Sequence, residues 1–317
     1  MPVALAAGIS VAFGCVVLAG GLNGATQPST TPARRISVEE LQAMMDKLRP
    51  LHKKFGRPKP GEWLFVHREP GQTFQQYIAS SPVVPDTERR IITIQPLGGF
   101  TKTQRRIVNL AADFMGRYFN LPVKVSEDLP DSIVPARARR VHPSWGDRQI
   151  LTSYVLDEVL RPRLPKDAFA CLAFTASDLW PGRGWNFVFG QASLRQRVGV
   201  WSIYRFGQPE QSKQQFRLCL LRTIRTATHE MGHMFSMLHC TAYNCGLNGS
   251  NSLAESDGRP LALCPECLAK VCWASGADPV RRYQKLAEFC RAHGLKAEGD
   301  FYEKSLKALA AALSEKK

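Results

Sequence analysis

Metal-binding side chains are concentrated in one short stretch, residues 228–245, with the sequence THEMGHMFSMLHCTAYNC. The stretch holds three histidines, one glutamate and two cysteines, whereas the whole chain of 317 residues has only seven histidines and nine cysteines. Imidazole and thiolate are the preferred protein ligands of zinc. Their concentration in one stretch points to metal chemistry, and their spacing indicates which kind.

The first spacing is the HExxH pattern of His229, Glu230 and His233. Residues four apart project from the same face of an α-helix, so the two imidazoles can hold one zinc ion. Glu230 lies next to them and can accept a proton from the water that zinc activates. His239 follows six positions after His233 and can join the site only if the helix stops and turns. Three histidine ligands leave one coordination position of a zinc ion open for chemistry. The alternative to a metal site is a surface helix with incidental histidines.

A second set comprises a C-x4-C pair and a CxxC pair, separated by eighteen residues: Cys240, Cys245, Cys264 and Cys267. Four thiolates spaced in this way can surround a tetrahedral zinc ion. Two disulfides are the alternative, and they would suit a secreted domain. Because Cys240 directly follows His239, a structural zinc here would also fix the loop that carries the third histidine.

These motifs resemble those of a known family. HExxHxxGxxH is typical of the metzincins, and a C-x4-C pair followed by a CxxC pair is typical of their archaemetzincin branch. The chain has HEMGHMFSMLHC, CTAYNC and then CGLNGSNSLAESDGRPLALCPECL, and its upstream GWNFVFGQASLRQRVGVWSIYRFG is similar to the strand region of archaemetzincins. The resemblance covers roughly residues 89–275.

The resemblance implies an α/β metzincin fold, in which a mixed, twisted sheet lies over a zinc-binding active-site helix. It also implies a third zinc ligand after a sharp turn, zinc-dependent peptidase activity and a second zinc at the four cysteines, which makes two zinc ions per chain. The chain departs from the family pattern at two positions. Ser236 replaces the glycine at which the chain turns, and serine adopts a left-handed conformation only at a cost. Leu247 corresponds to the methionine beneath the metal, a swap of similar volume and apolar character.

On this interpretation the chain is a zinc metallopeptidase that hydrolyses peptides or proteins, with Glu230 as the general base. A non-catalytic, zinc-stabilised module that binds peptides or proteins is the alternative, and the intact Glu230 argues against it. The net charge of +15 raises nucleic acid as a third kind of partner. The basic residues are scattered in short clusters and accompany no nucleic-acid motif, so we do not expect that partner.

Strands and helices alternate from about residue 89, which predicts an α/β domain. The metal-binding helix is predicted for residues 211–238, with one apolar stripe facing the sheet. Another helix is predicted for residues 147–164. Residues 197–207 are predicted to form a strand, which is either an ordinary sheet strand or an exposed edge that pairs with an extended peptide. Two surface helices are predicted at the C-terminal end.

The N-terminal part of the chain differs in composition. Residues 1–25 are apolar, with no charged side chain from Pro2 to Ala25, and would form a signal peptide or a membrane anchor. Residues 26–88 are predicted to be a linker and an N-terminal extension, and residues 89–317 the catalytic domain with its C-terminal helices. A membrane tether through residues 3–22, secretion, and a cytoplasmic location without a true targeting signal all remain open, as does the oligomeric state.

Overall fold

The computed structural model describes residues 36–314, and their side chains as far as Ala310. Over this range the chain forms an α/β fold, as predicted. Its helices are α1 (Val38–Leu48), α2 (Trp63–Val66), α3 (Phe74–Ala79), α4 (Lys102–Phe119), α5 (Thr152–Tyr154), α6 (Lys213–Met234), α7 (Leu253–Asp257), α8 (Pro265–Ser275), α9 (Pro279–Ala292) and α10 (Lys296–Ser314). Its strands are β1 (Ile91–Leu97), β2 (Val123–Val125), β3 (Arg139–Val141), β4 (Arg148–Leu151), β5 (Ala168–Thr175), β6 (Asp178–Trp180), β7 (Gly190–Ser193) and β8 (Val198–Ser202).

The strands form two sheets. The larger sheet has the order β2-β1-β5-β8-β7, with parallel pairs up to β8 and an antiparallel pair between β8 and β7. The smaller sheet has the order β3-β4-β6, with one antiparallel and one parallel pair. Both sheets are therefore mixed, which confirms the prediction. Strand β5 is buried along its whole length, so the larger sheet lies in the core.

Helix α6 carries the HExxH pattern. It begins after Ser212, whose side chain caps the first turn by accepting a backbone N–H. Apolar side chains that include Ile224 and Met231 bury one face of the helix in the core formed with the larger sheet and α4. The helix covers Lys213–Met234, which is shorter at both ends than the predicted range of 211–238.

The N-terminal extension is folded from Ile36 onward. Helix α1 begins with a capping box, in which Ser37 and Glu40 exchange side-chain and backbone hydrogen bonds. Leu41 of α1 and Tyr77 of α3 are buried in the same hydrophobic core as helix α6. The extension and the residues after it therefore share one core.

Two predicted elements differ from the structure. The helix predicted for residues 147–164 begins only at Thr152, because Arg148–Leu151 pairs on both sides as the central strand β4. The strand predicted within residues 197–207 exists as β8, but it lies between β5 and β7. It is therefore an ordinary interior strand, and β7 is the edge that remains open to an extended peptide.

The two C-terminal helices, α9 and α10, pack against each other. Phe289 of α9 and Tyr302 of α10 are buried in the main core. Between residues 36 and 314, none of the helices combines the length and apolar character that crossing a bilayer requires. The apolar segment 3–22, for which a membrane tether is one prediction, lies outside the described residues.

Candidate metal centre

Three histidine side chains converge where helix α6 ends and the following loop folds back. The Nε2 atoms of His229 and His233 are 3.2 Å apart, and one nitrogen of His239 completes a set whose atoms all lie within 4.8 Å of one another. The ring centroids are separated by 4.9, 5.2 and 4.8 Å. In a tetrahedral site with zinc–nitrogen bonds of about 2.0–2.1 Å, the nitrogens are about 3.3 Å apart. The three predicted histidines therefore lie together in an arrangement that fits zinc.

Backbone carbonyls orient two of these rings. The Nδ1 atom of His229 lies 2.9 Å from the carbonyl oxygen of Gly246, and Nδ1 of His233 lies 2.7 Å from that of Met237. Because a carbonyl only accepts hydrogen bonds, each Nδ1 must carry the proton, which leaves the Nε2 lone pair free for a cation. Both carbonyls belong to the loop after α6, so this loop determines the tautomers of the helical histidines.

A carboxylate from the N-terminal extension orients the third ring. The Nδ1 atom of His239 lies 3.0 Å from both carboxylate oxygens of Glu69, and the Trp63 indole N–H donates to Oε1 of that carboxylate at 3.0 Å. The Trp63 ring also meets the His239 ring edge to face, at 5.2 Å between centroids. Sequence reasoning missed Glu69 and Trp63, because they belong to no motif and Glu69 precedes His239 by 170 residues.

The turn after α6 contains one of the two departures from the family pattern. The Ser236 N–H donates to the carbonyl of His233, and the Met237 N–H donates to that of Gly232, which together form a Schellman motif. Its left-handed residue is Ser236, with φ of 62°. The Ser236 hydroxyl oxygen accepts the Val83 N–H at 3.0 Å. This bond offsets part of the cost of placing serine where glycine is usual.

Glu230 lies beside the convergent nitrogens. Its side chain is 3% exposed, and Oε1 is 3.3 Å from Nε2 of His229. Burial lowers the pKa of His229 well below its usual range and lowers the pKa of His233 to about 4. Both rings are therefore neutral at physiological pH, which is the form that binds a metal ion. Glu230 is therefore a buried carboxylate next to neutral imidazoles, and its role as the general base stays a prediction.

The four predicted cysteines form a second cluster behind the histidines. Their sulfur atoms lie within 4.8 Å of one another, all four residues are buried, and Sγ of Cys240 is 3.6 Å from Sγ of Cys264. Zinc–sulfur bonds of about 2.3 Å in a tetrahedron separate the sulfurs by about 3.8 Å, whereas a disulfide needs about 2.05 Å. All four thiols are free. The spacing therefore fits a tetrahedral metal ion better than the alternative of two disulfides.

The loop between the two clusters is held together by Asn248. Its side-chain amide donates to the carbonyls of Cys240 at 2.6 Å and Tyr243 at 2.9 Å. Its Oδ1 atom accepts the Cys245 N–H at 2.7 Å. The same loop begins with His239, so the backbone that carries one histidine is continuous with the backbone of the cysteine cluster.

Leu247, the counterpart of the family methionine, packs against the helix that carries His229 and His233. The side chain is 1% exposed and packs against α6 at Gly232, the helix position just before His233. A Cβ atom built on Gly232 would be 2.9 Å from Cδ1 of Leu247. This close approach explains the glycine in the helix, and the role of Leu247 as an apolar floor stays a prediction.

The chain is similar in sequence to known proteins. The model of peptidase family M54 matches residues 155–272, a range that contains both clusters. Archaemetzincin-2 of Homo sapiens is 32% identical over 290 residues, which cover 80% of this chain and 80% of that protein. The archaemetzincin of Thermococcus kodakarensis is 30% identical over 190 residues, covering 57% of this chain and 95% of that protein.

These matches define the class of protein first as a zinc metallopeptidase of family M54. The chain belongs to the archaemetzincin family within that class. Among solved structures, the archaemetzincin of Archaeoglobus fulgidus in complex with malonate is 27% identical, with a TM-score of 0.44, and covers 57% of this chain and 99% of that one.

Proposed function

We propose that His229, His233 and His239 bind a catalytic zinc ion, and that Glu230 acts as the general base in the hydrolysis of peptide bonds. The observation that carries the proposal is the convergence of three imidazole rings next to a buried carboxylate. A structural zinc site would have no use for that carboxylate. Membership of a peptidase family makes peptides or proteins the substrate class.

His229, His233 and His239 would hold the zinc ion, which would polarise a carbonyl group and make water nucleophilic near neutral pH. Glu230 transfers the proton. Its Oε1 atom faces the histidine cluster and takes the proton of the attacking water. The same carboxyl group then gives this proton to the amine of the departing peptide, so the residue ends each cycle as a carboxylate.

The proposal assigns the hydrogen-bond partners of the ring nitrogens a positioning role. Gly246, Met237 and Glu69 each hold one Nδ1 atom, so the three Nε2 atoms face the same point. Such partners are worth about 10–100-fold in metal affinity where they have been removed from other sites. Glu69 differs from the two carbonyls because its negative charge also strengthens the basicity of the ligand that it contacts.

We propose a structural zinc ion for Cys240, Cys245, Cys264 and Cys267, which gives two zinc ions per chain. Backbone N–H groups of Leu247 and Cys264 point at Sγ of Cys245, at 3.5 and 3.2 Å, and would stabilise a thiolate there. All four sulfurs are buried. Four cysteine ligands would leave no coordination position for a reactant. We therefore propose that this ion stabilises the fold and positions His239.

An extended substrate would pair with β7. This strand is the edge of the larger sheet and runs antiparallel to β8. Phe189, directly before β7, lines the same cavity as His229 and Glu230. Backbone pairing at an edge strand binds peptides with little dependence on their sequence, so selectivity must come from side-chain pockets.

Stepwise removal and return of zinc tests the proposed function. We expect the purified protein to contain close to two zinc ions, and a chelator to remove the ion of the partly exposed histidine cluster well before that of the buried cysteine cluster. Hydrolysis of a mixed peptide library should vanish with the first ion and return when one equivalent of zinc is added. Hydrolysis that persists in protein shown by elemental analysis to lack the first ion would refute the proposal.

A further inference from the structure

A small cavity lies next to the histidine cluster, between helix α6 and the segment 246–259. His229, Glu230 and His239 are part of its lining, and its volume is about 50 Å³. A single water needs about 10–15 Å³ by this measure, so the cavity has room for a few waters or for a group the size of a carboxylate. Because it opens beside the proposed catalytic groups, a substrate side chain or chain end next to the scissile bond can enter it.

One wall of this cavity carries Arg225, a buried guanidinium without a full set of partners. The residue is one helical turn before His229, about 6 Å along the helix axis, and is 6% exposed. Its Nε atom is buried and has no hydrogen-bond partner. Nη1 lies 3.5 Å from Oδ1 of Asp257, which is at the outer limit of a hydrogen bond.

Asp257 is engaged elsewhere. Its carboxylate receives three hydrogen bonds from Arg222, at 3.1, 3.1 and 2.6 Å, so its charge is shared between two guanidinium groups. Burial lowers the pKa of Arg225, which reflects the cost of holding this cation away from water. A guanidinium remains charged in proteins under nearly all conditions. Arg225 therefore has only part of a counter-charge, from the Asp257 carboxylate that it shares with Arg222.

Two of the three Arg, Lys, Asp or Glu side chains that line the cavity are guanidinium groups. Arg259 is the second guanidinium of the lining, and its Nε atom is also buried without a hydrogen-bond partner. Arg259 is paired through Nη2 with Glu255 at 2.7 Å. Glu230 is the carboxylate of the lining, and it lies at the histidine end. A ligand anion at the Arg225 end would meet unsatisfied N–H donors.

We propose that this cavity is a subsite for a carboxylate of the peptide substrate, and that Arg225 is its specificity-determining residue. The carboxylate is either an acidic side chain next to the scissile bond or the free C-terminus of a short peptide. This inference rests on the proposed peptidase function and adds the substrate class. A carboxylate fits because arginine binds it through two parallel N–H groups.

The test measures kcat/KM of the zinc-loaded full chain on matched peptides. One series places Glu, Gln or Leu at each residue flanking the scissile bond, with both peptide ends blocked. A second series compares a free C-terminal carboxylate with its amide. Hydrogen bonds to charged groups typically contribute enough to change a rate by about 10–100-fold. We expect a preference of that size for Glu over Gln at one flanking position, or for the free acid over the amide, which distinguishes the two sources.

Two substitutions of opposite expected effect then assign the preference to Arg225. The quantity compared is the kcat/KM of the peptide with the carboxylate divided by that of its uncharged counterpart. Arg225→Met should reduce this ratio towards one. Asp257→Asn should raise it, because Arg225 then no longer shares its charge with a protein carboxylate. Arg217→Met is the matched control: it removes the same charge from the same helix at an exposed position outside the cavity, and should leave the ratio unchanged. If Arg225→Met does not fold, Asp257→Asn alone decides the assignment, since mere destabilisation would not raise a ratio.

The outcomes separate this inference from the function on which it rests. A wild-type protein that cleaves the Glu, Gln and Leu peptides equally, and the acid and amide equally, would overturn the carboxylate subsite and leave the peptidase intact. A ratio that Asp257→Asn leaves unchanged, or that Arg217→Met lowers as much as Arg225→Met does, would overturn the role of Arg225. Absence of hydrolysis in the zinc-loaded wild type on every peptide would refute the proposed function, and the subsite with it.

Discussion

The histidine cluster and the cysteine cluster share one loop, which carries His239, Cys240 and Cys245, but they differ in solvent exposure. The four cysteines are at most 5% exposed and enclose their centre completely with protein ligands. The three histidines are partly exposed, and His229 and His239 line a cavity. A tetrahedral zinc ion held by three histidines would have one position left for a reactant. Under the proposed function, this difference in burial and ligand number would make the cysteine cluster a structural zinc site and the histidine cluster the catalytic one.

The two clusters also differ in which parts of the chain supply them. The cysteine cluster takes its ligands from one loop and from the start of α8, within 28 residues (240 to 267). The histidine cluster combines helix α6, the same loop and Glu69 of the N-terminal extension. Substitution of a cysteine of the cluster should therefore also displace His239 through the shared loop. Substitution of a histidine should leave the cysteine cluster unchanged.

The largest expected effect follows from substitution within the cysteine cluster. We predict that Cys264→Ser lowers the free energy of unfolding by more than about 4 kcal/mol, because the loss of a structural metal is among the most destabilising single changes. Zinc content should fall, and hydrolysis should fall with it because His239 loses its support. Thermal unfolding together with elemental analysis measures both effects.

Cys290→Ser is the matched control, because Cys290 is also a fully buried free thiol but belongs to α9. Cys290→Ser should lower the free energy of unfolding much less than Cys264→Ser does, and it should leave the zinc content unchanged. Equal losses in the two variants, with zinc retained in Cys264→Ser, would mean that the cysteine cluster is ordinary core.

The next effect concerns chemistry without loss of metal. We predict that Glu230→Ala retains zinc in both clusters and loses hydrolysis by at least about 10²–10⁴-fold, the usual contribution of general-base catalysis. The physical reason is that the three imidazoles remain while the proton acceptor is removed. Kinetics on protein of measured zinc content test this.

His239→Ala provides the contrast, because it removes a ligand and should weaken zinc binding itself. If Glu230→Ala also lost the metal, Glu230 would be a ligand, and the site would not be of the metzincin type. Unchanged hydrolysis in zinc-loaded Glu230→Ala would instead remove Glu230 from the mechanism.

A smaller effect is expected where the N-terminal extension meets the histidines. We predict that Glu69→Gln weakens zinc binding at the histidine cluster by about 10–100-fold, because His239 loses a charged partner for Nδ1. Unfolding in the zinc-free state should change little. A competition titration with a fluorescent zinc chelator measures the affinity.

Glu88→Gln makes the same change of charge at an exposed position of the extension and should leave zinc affinity unaltered. Equal zinc affinities of Glu69→Gln and the wild-type protein would show that the contact between Glu69 and His239 has no role in positioning the ligand.

The sequence was most informative where ligands are close together along the chain. His229 and His233 are related by helical periodicity alone, and the cysteine pairs by short spacings, so both clusters could be predicted by residue. The partner of His239 could not, because Glu69 reaches it only through the tertiary packing of a segment that lacks periodicity. The same limit explains the Arg148–Leu151 strand, whose pairing with β3 and β6 overrides a helical pattern that is present from Thr152 onward.

The smallest effect is expected at the floor of the histidine cluster. We predict that Leu247→Met changes the free energy of unfolding by less than about 1.5 kcal/mol and leaves zinc affinity nearly unchanged. Methionine has a similar volume, and its unbranched side chain can adapt to the narrow space above Gly232. Chemical denaturation and the same chelator titration measure the two quantities.

Gly232→Ala tests the same contact from the side of the helix. Alanine normally favours a helix over glycine by about 1 kcal/mol, but here its Cβ atom would lie 2.9 Å from Cδ1 of Leu247. We therefore expect Gly232→Ala to destabilise the protein. Combination with Leu247→Met should recover part of the loss, because methionine can move away from the new methyl group. A stabilising Gly232→Ala, or a Leu247→Met variant that loses zinc, would mean that Leu247 does not form the floor of the site.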